Sequence, residues 1–407
     1  MKNLSTSLLV GLTILFSGCD MLQQSSKPLK LTHAQERVAQ QSNLFGFQLL
    51  NTTATQTETA KNICLSPLSV SIAFGAALNG ANGETRSEIE RVLQLAGKTP
   101  EEINETYQAL LAQLPKADPK VQLNIANALW YDKSFGPSIR PEFLVTNKTY
   151  FGSRVEGLDF RSPSALTAIN DWVKGATQNK IGKILERIEP SEVLFLMNAL
   201  YFKGQWQYEF KKNATQQDTF YPETGSNLQV SMMQQTTSLA YSRNDLYEAV
   251  ELPYGDGVYV MNIFLPREGK TAREVLTDLT TSWPSNLHQF KSQKLSLFLP
   301  RWKNTFDINL NEVLQAMGIK RAFSRNSADF SNITPDLLWI SKVIHKTFIE
   351  VNEEGTEAAA ATSIGFTRDS ANIVPQMVVN RPFVYLIREK SSGTIVFSGI
   401  VHDPNGQ

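Results

Sequence analysis

Apolar positions recur at helical spacing early in the chain and in short runs later. Residues 38–50 (VAQQSNLFGFQLL) carry them three and four apart, which predicts an amphipathic helix. Residues 67–78 follow Ser66, an N-cap residue, with Pro67 at the first helical position and Asn79-Gly80 as the stop. Thr85-Arg86-Ser87-Glu88 has the form of a capping box, and predicts a helix beginning there. Residues 169–177 and 310–317 also predict helices. Short apolar runs at 123–130, 195–202, 258–265, 295–299, 383–387 and 394–401 predict strands. Helices first and strands later point to an α+β fold. Between residue 33 and the end no Gly/Ser/Pro-rich linker or repeat intervenes, so 33–407 is expected to be a single domain.

The first residues read as an address. Lys2 supplies a positive start, and residues 8–16 form an apolar stretch too short to span a bilayer. Phe16-Ser17-Gly18-Cys19 resembles a bacterial lipoprotein box, with Phe16 where that box usually has Leu. Residues 1–18 are therefore expected to be a signal peptide, Cys19 the lipidated residue, and 19–32 a flexible tether. The chain would be exported, and held on a membrane in the periplasm or at the cell surface. Cys64, flanked by Ile63 and Leu65, reads as a buried structural thiol.

Composition excludes several classes. Hydrophobic residues make up 42% of 407, and 39 basic residues balance 39 acidic ones. Such a chain is not disordered, and it lacks the basic field of a nucleic-acid binder. Lys and Arg form no run that would suggest a polyanionic cofactor. The four histidines, His33, His288, His345 and His402, sit at no metal-ligand spacing, and GxSxG and HExxH are absent, so neither a metal site nor an enzyme is expected. Gly255-Asp256-Gly257 reads as a tight turn between strands.

The informative segment is EVNEEGTEAAAATSIGFTRDSA, residues 350–371. Propensity favours a helix for its Glu-Ala run, yet no apolar stripe at helical spacing would dock one. With period two, Thr356, Ala358, Ala360, Thr362, Ile364 and Phe366 share one uncharged face, small at first and bulky at its end. That suits a strand entering a sheet with this face buried, and Gly355 before it is a natural hinge.

With this segment, seven further blocks complete a resemblance. They are NICLSPLSVSIAFGAALN from Asn62, NALYFKGQW from Asn198, and Leu252-Pro253-Tyr254 with Leu265-Pro266. AMGIKRAF from Ala316 is followed by Ala328-Asp329-Phe330, and KVIHKTFIEVNEEGTEAAAAT starts at Lys342. RPFVYLIR from Arg381 and IVFSGIVHDP from Ile395 close the set. In order and spacing, over residues 40–404, the chain resembles the serpins. The resemblance implies an α+β fold of about eight or nine helices around three β-sheets, with an exposed reactive-centre loop near 353–380. It also implies suicide inhibition of endopeptidases of the serine or cysteine type. The protease attacks one loop bond, and the cut loop enters the main sheet as a new strand while the acyl bond to the protease persists. The partner is the target protease, and the inhibitor itself is expected to be a monomer.

By the same resemblance Ser66, Ser69, Asn198 and His345 match the polar cluster beneath the centre of the main sheet. Glu353 and Arg301, beside Trp206, match the charged pair where the loop enters. Ordering a loop residue costs about 1–2 kcal/mol of backbone entropy. A new backbone hydrogen bond returns about 0.5–1.5 kcal/mol net. Burial of the inward face must decide the outcome, and the hinge residues Thr356, Ala358 and Ala360 put no charge there. The bait bond stays open between Arg368-Asp369 and Asp369-Ser370. Arg368 suits the acidic pocket of a trypsin-like protease, and Phe366 and Ala371 are further candidates. Two other functions remain at this point: a non-inhibitory serpin that binds or carries a ligand, and a periplasmic solute-binding or hydrolytic lipoprotein.

Overall fold

The computed structural model describes residues 26–58, 61–356 and 374–406. Its helices are α1 (His33–Gln56), α2 (Pro67–Leu78), α3 (Gly83–Val92), α4 (Pro100–Gln113), α5 (Pro141–Thr146), α6 (Pro163–Ala176), α7 (Ala272–Ser282) and α8 (Asn311–Met317). The strands are β1 (Ile63–Leu65), β2 (Val121–Asp132), β3 (Arg154–Leu158), β4 (Leu194–Gln205), β5 (Gln216–Phe220), β6 (Leu228–Arg243), β7 (Tyr247–Tyr254), β8 (Tyr259–Pro266), β9 (Lys291–Pro300), β10 (Trp302–Asn309), β11 (Lys342–Val351), β12 (Gly355–Thr356), β13 (Gln376–Val378), β14 (Phe383–Glu389) and β15 (Ile395–Val401).

Local chemistry accounts for the helix ends. Thr32, Thr99 and Thr271 each close a capping box with Gln35, Glu102 and Glu274, starting α1, α4 and α7. Ser66 caps α2, whose every residue is buried. The capping box expected at Thr85 does not form. Helix α3 starts earlier, at Gly83 after Asn82, and the buried Thr85 hydroxyl instead accepts the Asp329 backbone N–H at 2.9 Å. Glu88 likewise serves the backbone N–H groups of Lys320 and Arg321, at 2.7 and 2.8 Å. Tertiary partners therefore claim both side chains that would have made the box.

The strands form two hydrogen-bonded sheets among the described residues. One runs β1-β15-β14-β8-β7-β6-β9-β13, with β5 also on β6. The long β6 pairs with β9 along 232–241 and with β7 along 240–243. It thereby makes two of the three expected sheets continuous. The second sheet runs β10-β11-β12-β4-β2-β3. Its strands β11 and β4 are parallel and pair directly from Lys342↔Phe195 to Thr347↔Leu200. Helix α2, apolar all round, lies in the core that both sheets share. A second apolar cluster joins Ile169 and Val173 of α6 to Phe195, Met197 and Ala199 of β4 and to Ile344 and Phe348 of β11. Helix α6 thus packs across the outer face of the main sheet. No helix of the described residues is long and apolar enough to cross a membrane.

Candidate functional site

At one end of the main sheet β11 and β4 no longer touch each other. Thr356 sits between them, paired antiparallel with Val351 of β11 and with Gly204 of β4. Gly355 pairs with Gln205. The position admits only glycine: φ is +151°, and a Cβ there would lie 2.1 Å from the Gly204 carbonyl oxygen. Thr356 is buried, and its hydroxyl meets the Tyr254 hydroxyl at 2.6 Å. Burial pushes the Tyr254 phenol far above its ordinary range, so it stays protonated and able to donate. Its ring stacks on Trp206 with centroids 4.4 Å apart.

The turn between β11 and β12 is held on every side. Trp206 donates its indole N–H to the Asn352 carbonyl at 2.9 Å and its backbone N–H to the Glu354 carbonyl at 2.8 Å. Phe210 donates its backbone N–H to the Glu353 carbonyl at 2.9 Å. The Glu353 carboxylate, only 2% exposed, accepts from the Arg301 guanidinium (Nε at 2.8 Å) and from the Thr215 hydroxyl. Burial alone would raise its pKa, but the bonds from Arg301 and Thr215 outweigh it and hold the carboxyl below the usual range. Glu354 pairs with Lys212. The pair Glu353-Glu354, readable from sequence as a solvated acidic step, is buried and countered on both sides. A cleft of about 660 Å³ opens beside it, lined by Lys212, Arg301, Lys303, Glu350, Glu353 and Glu354 among others.

A second polar group lies midway along the sheet. His345 of β11 and Asn198 of β4 are register partners, and Asn198 is in turn opposite Asn127 of β2. His345 Nε2 accepts the Ser66 backbone N–H at 2.9 Å, so its proton resides on Nδ1. Burial lowers its pKa to about 3. The Ser66 and Ser69 hydroxyls meet at 2.8 Å. Asn198 donates to Asn127 Oδ1 at 2.6 Å. Two residues further along β11, the Thr347 hydroxyl donates to the Cys64 carbonyl at 2.7 Å. Cys64 itself is buried, which pushes its thiol up to about 11.

Of the residues singled out from sequence, Ser66, Ser69, Asn198 and His345 share the central group. Glu353, Arg301, Trp206, Gly355 and Thr356 share the end of the sheet. The remaining ones, Cys19, Ala358, Ala360, Arg368, Asp369 and Ser370, lie outside the described residues. Asn127, Thr215, Tyr254 and Thr347 were not anticipated. For Asn127 the available signal was a polar residue flanked by Ala126 and Ala128, since a buried amide needs a partner.

The chain and its fold have known counterparts. A family model described as Serpin (serine protease inhibitor) matches residues 40–404. A serpin-like protein of Thermococcus kodakarensis is 33% identical over 386 residues, covering 92% of this chain and 88% of its own. Tengpin, a thermophilic serpin crystallised in its native state, superposes with a TM-score of 0.83 at 29% identity, covering 93% of this chain and 97% of its own. Human thyroxine-binding globulin, crystallised in complex with thyroxine, gives 0.83 at 28% identity, covering 91% of this chain and 100% of its own.

Proposed function

The chain belongs to the serpin family, and we propose that it is an inhibitory member: a suicide substrate of serine endopeptidases, not an enzyme. The observation that carries this reading is the seat of Gly355 and Thr356 between β11 and β4. Strand β12 is antiparallel to both neighbours, whereas β11 and β4 are parallel to each other. Continuing β12 downward would replace the parallel ladder from Lys342 to Thr347 with two antiparallel ones, which are the more stable per residue. The new strand would bury its small uncharged face, Thr356, Ala358 and Ala360, against the core. In this reading the connection to β13 restrains further entry while it is intact. A protease supplies the cut, and its acyl bond then travels with the inserting strand.

In this reading Glu353, Arg301, Trp206 and Thr215 hold the entrance, and Ser66, Ser69, Asn198 and His345 bridge the strands that must part. The bait bond follows Arg368 or Asp369, and Arg368 makes trypsin-like proteases the first targets. Residues 1–18 direct export, Cys19 carries lipid, and residues 33–407 form the inhibitor, which acts as a monomer outside the cytoplasm. The alternative of a ligand-carrying serpin has thyroxine-binding globulin as a fold neighbour. Here the uncharged hinge face favours insertion.

The test mixes the mature chain with trypsin and resolves the products on a denaturing gel, with mass analysis. An inhibitor gives a stable species at the summed mass and a released peptide starting at Asp369 or Ser370. Thr356→Arg puts an unpaired charge on the inward face, at a cost of several kcal/mol, and should yield cleaved chain without the covalent species. Cleavage without a covalent species by wild type, across trypsin, an elastase and a subtilisin, would favour the carrier reading.

A further inference from the structure

The N-terminal segment is clipped to the same end of the molecule that releases the loop. Lys30 and Gln113, at the end of α4, exchange two hydrogen bonds: Lys30 N–H to Gln113 Oε1 at 2.8 Å, and Gln113 Nε2 to the Lys30 carbonyl at 3.1 Å. Three residues back along the chain, Lys27 donates its N–H to the Ala117 carbonyl at 2.8 Å. Leu29, between these clips, and Leu31, just past them, pack on the core. This part of the expected tether is therefore fixed on the body, and its direction toward the N-terminus is set.

That direction leads to the sheet entrance. Ala117 is one turn from Val121, whose N–H bonds the Asp118 carbonyl at 3.1 Å. Val121 pairs with Gly204, Gly204 with Thr356, and Thr356 with Val351, so the four lie in one row across the sheet. Two strand spacings separate Val121 from Thr356, about 10 Å. Asp118 ties the same corner to the β7–β8 turn by accepting the Asp256 N–H at 2.8 Å. From Lys27 to Cys19 is eight residues, a reach of at most about 28 Å. An anchor at Cys19 would thus lie within that reach of the end of the sheet where Gly355 and Thr356 are seated.

The surface there is suited to anionic headgroups. Lys27, Lys30, Lys116 and Lys120 are exposed, and Lys203 is half-buried. They are scattered in sequence and gathered by the fold. Lys116 precedes the Ala117 clip, Lys203 is the register partner of Gln122, and Lys120 lines one shallow depression with Lys203 and Gln205. Asp256 is paired with Lys120 at 2.7 Å. Juxtamembrane lysines are attracted to anionic lipid within roughly a Debye length of the surface.

We propose that this lysine-bearing end docks on an anionic lipid surface, so that the bait loop of the anchored chain faces the membrane. The proposal rests on the lipid at Cys19 given under the function above. Proteases working at the membrane surface would meet the loop first, and insertion would then carry the acyl-enzyme away from the bilayer.

The experiment uses the full lipidated chain, reconstituted in phosphatidylcholine vesicles with or without phosphatidylglycerol. An acceptor sits in the lipid phase, and a donor dye is placed on Gln207→Cys, beside the sheet entrance, or on Ser191→Cys, beyond the far end of β4. Cys64 is buried and stays unlabelled. The two sites differ by the length of β4, about 40 Å at 3.3 Å per residue, so transfer at the first is expected to exceed that at the second by at least about threefold. Phosphatidylglycerol should widen the difference, and replacing Lys27, Lys30, Lys116 and Lys203 with Gln should remove that widening. A chain that floats with vesicles but shows equal transfer at both sites, or more at Ser191→Cys, overturns the orientation alone. A widening that survives the four substitutions overturns the assignment to lysines. A chain that does not float overturns the anchor and the orientation together. Complex formation with trypsin in detergent reports on inhibition independently of all three.

Discussion

The hydroxyls of Tyr254 and Thr356, 2.6 Å apart, join the hairpin of one sheet to the first inward residue of the strand that would enter the other. The bond fixes the depth to which the intact loop is seated. Tyr254→Phe keeps the stacking on Trp206 and removes only the hydroxyl, leaving buried Thr356 without this partner. A cost of about 1 kcal/mol corresponds to roughly fivefold faster amide exchange at Gly355 and Thr356. Mass-spectrometric hydrogen exchange would check it, with unchanged exchange in β14 as the internal control.

Gly355→Ala makes a harsher test of the same seat. The added methyl has the Gly204 carbonyl 2.1 Å away and a backbone angle that L-residues avoid. Thr356 should be expelled and the exchange protection of both amides lost. The covalent complex should form with more cleaved by-product per protease captured, as read by densitometry of the same gel.

The Glu353 carboxylate is held below its ordinary pKa by Arg301 and Thr215, against the effect of burial. A depressed folded-state value means that its stabilisation is present above pH 4.5, the unfolded value, and is lost as pH falls through the lower folded one. Acid should therefore loosen the entrance before it unfolds the body. Arg301→Ala leaves a buried carboxylate with fewer partners, and a loss of about 2–3 kcal/mol is expected for charge-assisted bonds of this kind. Melting measured from pH 7 to pH 3 would show a lower transition for Arg301→Ala and a weaker acid dependence than wild type.

His345 responds in the opposite part of the same range. Buried and neutral, with a pKa of about 3 against 6.5 in the unfolded chain, it favours the folded state fully above pH 6.5. That contribution declines as pH falls from 6.5 toward 3, because the unfolded chain takes up the proton first. His345→Gln, with an amide oxygen offered to the Ser66 N–H, should flatten the slope of stability between pH 6.5 and 4. An unchanged slope would assign the acid sensitivity elsewhere.

Sequence patterning reached the strands where both faces are buried. Residues 195–202, 258–265 and 383–387 lie within, or within one residue of, β4, β8 and β14. It missed β6, whose MMQQTTSLAYS stretch is mostly polar because one face meets solvent. It also missed α4 and α7, though both carry Thr-x-x-Glu boxes of the kind wrongly expected at Thr85. The difference is tertiary: Thr99 and Thr271 are free to cap, whereas Thr85 is taken by Asp329. For the site, the Arg301–Glu353 pairing came from resemblance to a family. Composition alone could not distinguish a buried acidic pair from a solvated one. Asn127 and Tyr254 are placed by register across strands far apart in the chain, a relation that local spacing does not encode.

The central claim is that the cut loop becomes a strand. The most direct measurement is the melting temperature of the chain cleaved once within residues 357–373, compared with the intact chain. The account predicts a large rise on cleavage, because the parallel β11–β4 ladder is exchanged for two antiparallel ones with a buried inward face. It also predicts that the rise is abolished by Thr356→Arg. A cleaved chain that melts at or below the intact one would contradict it.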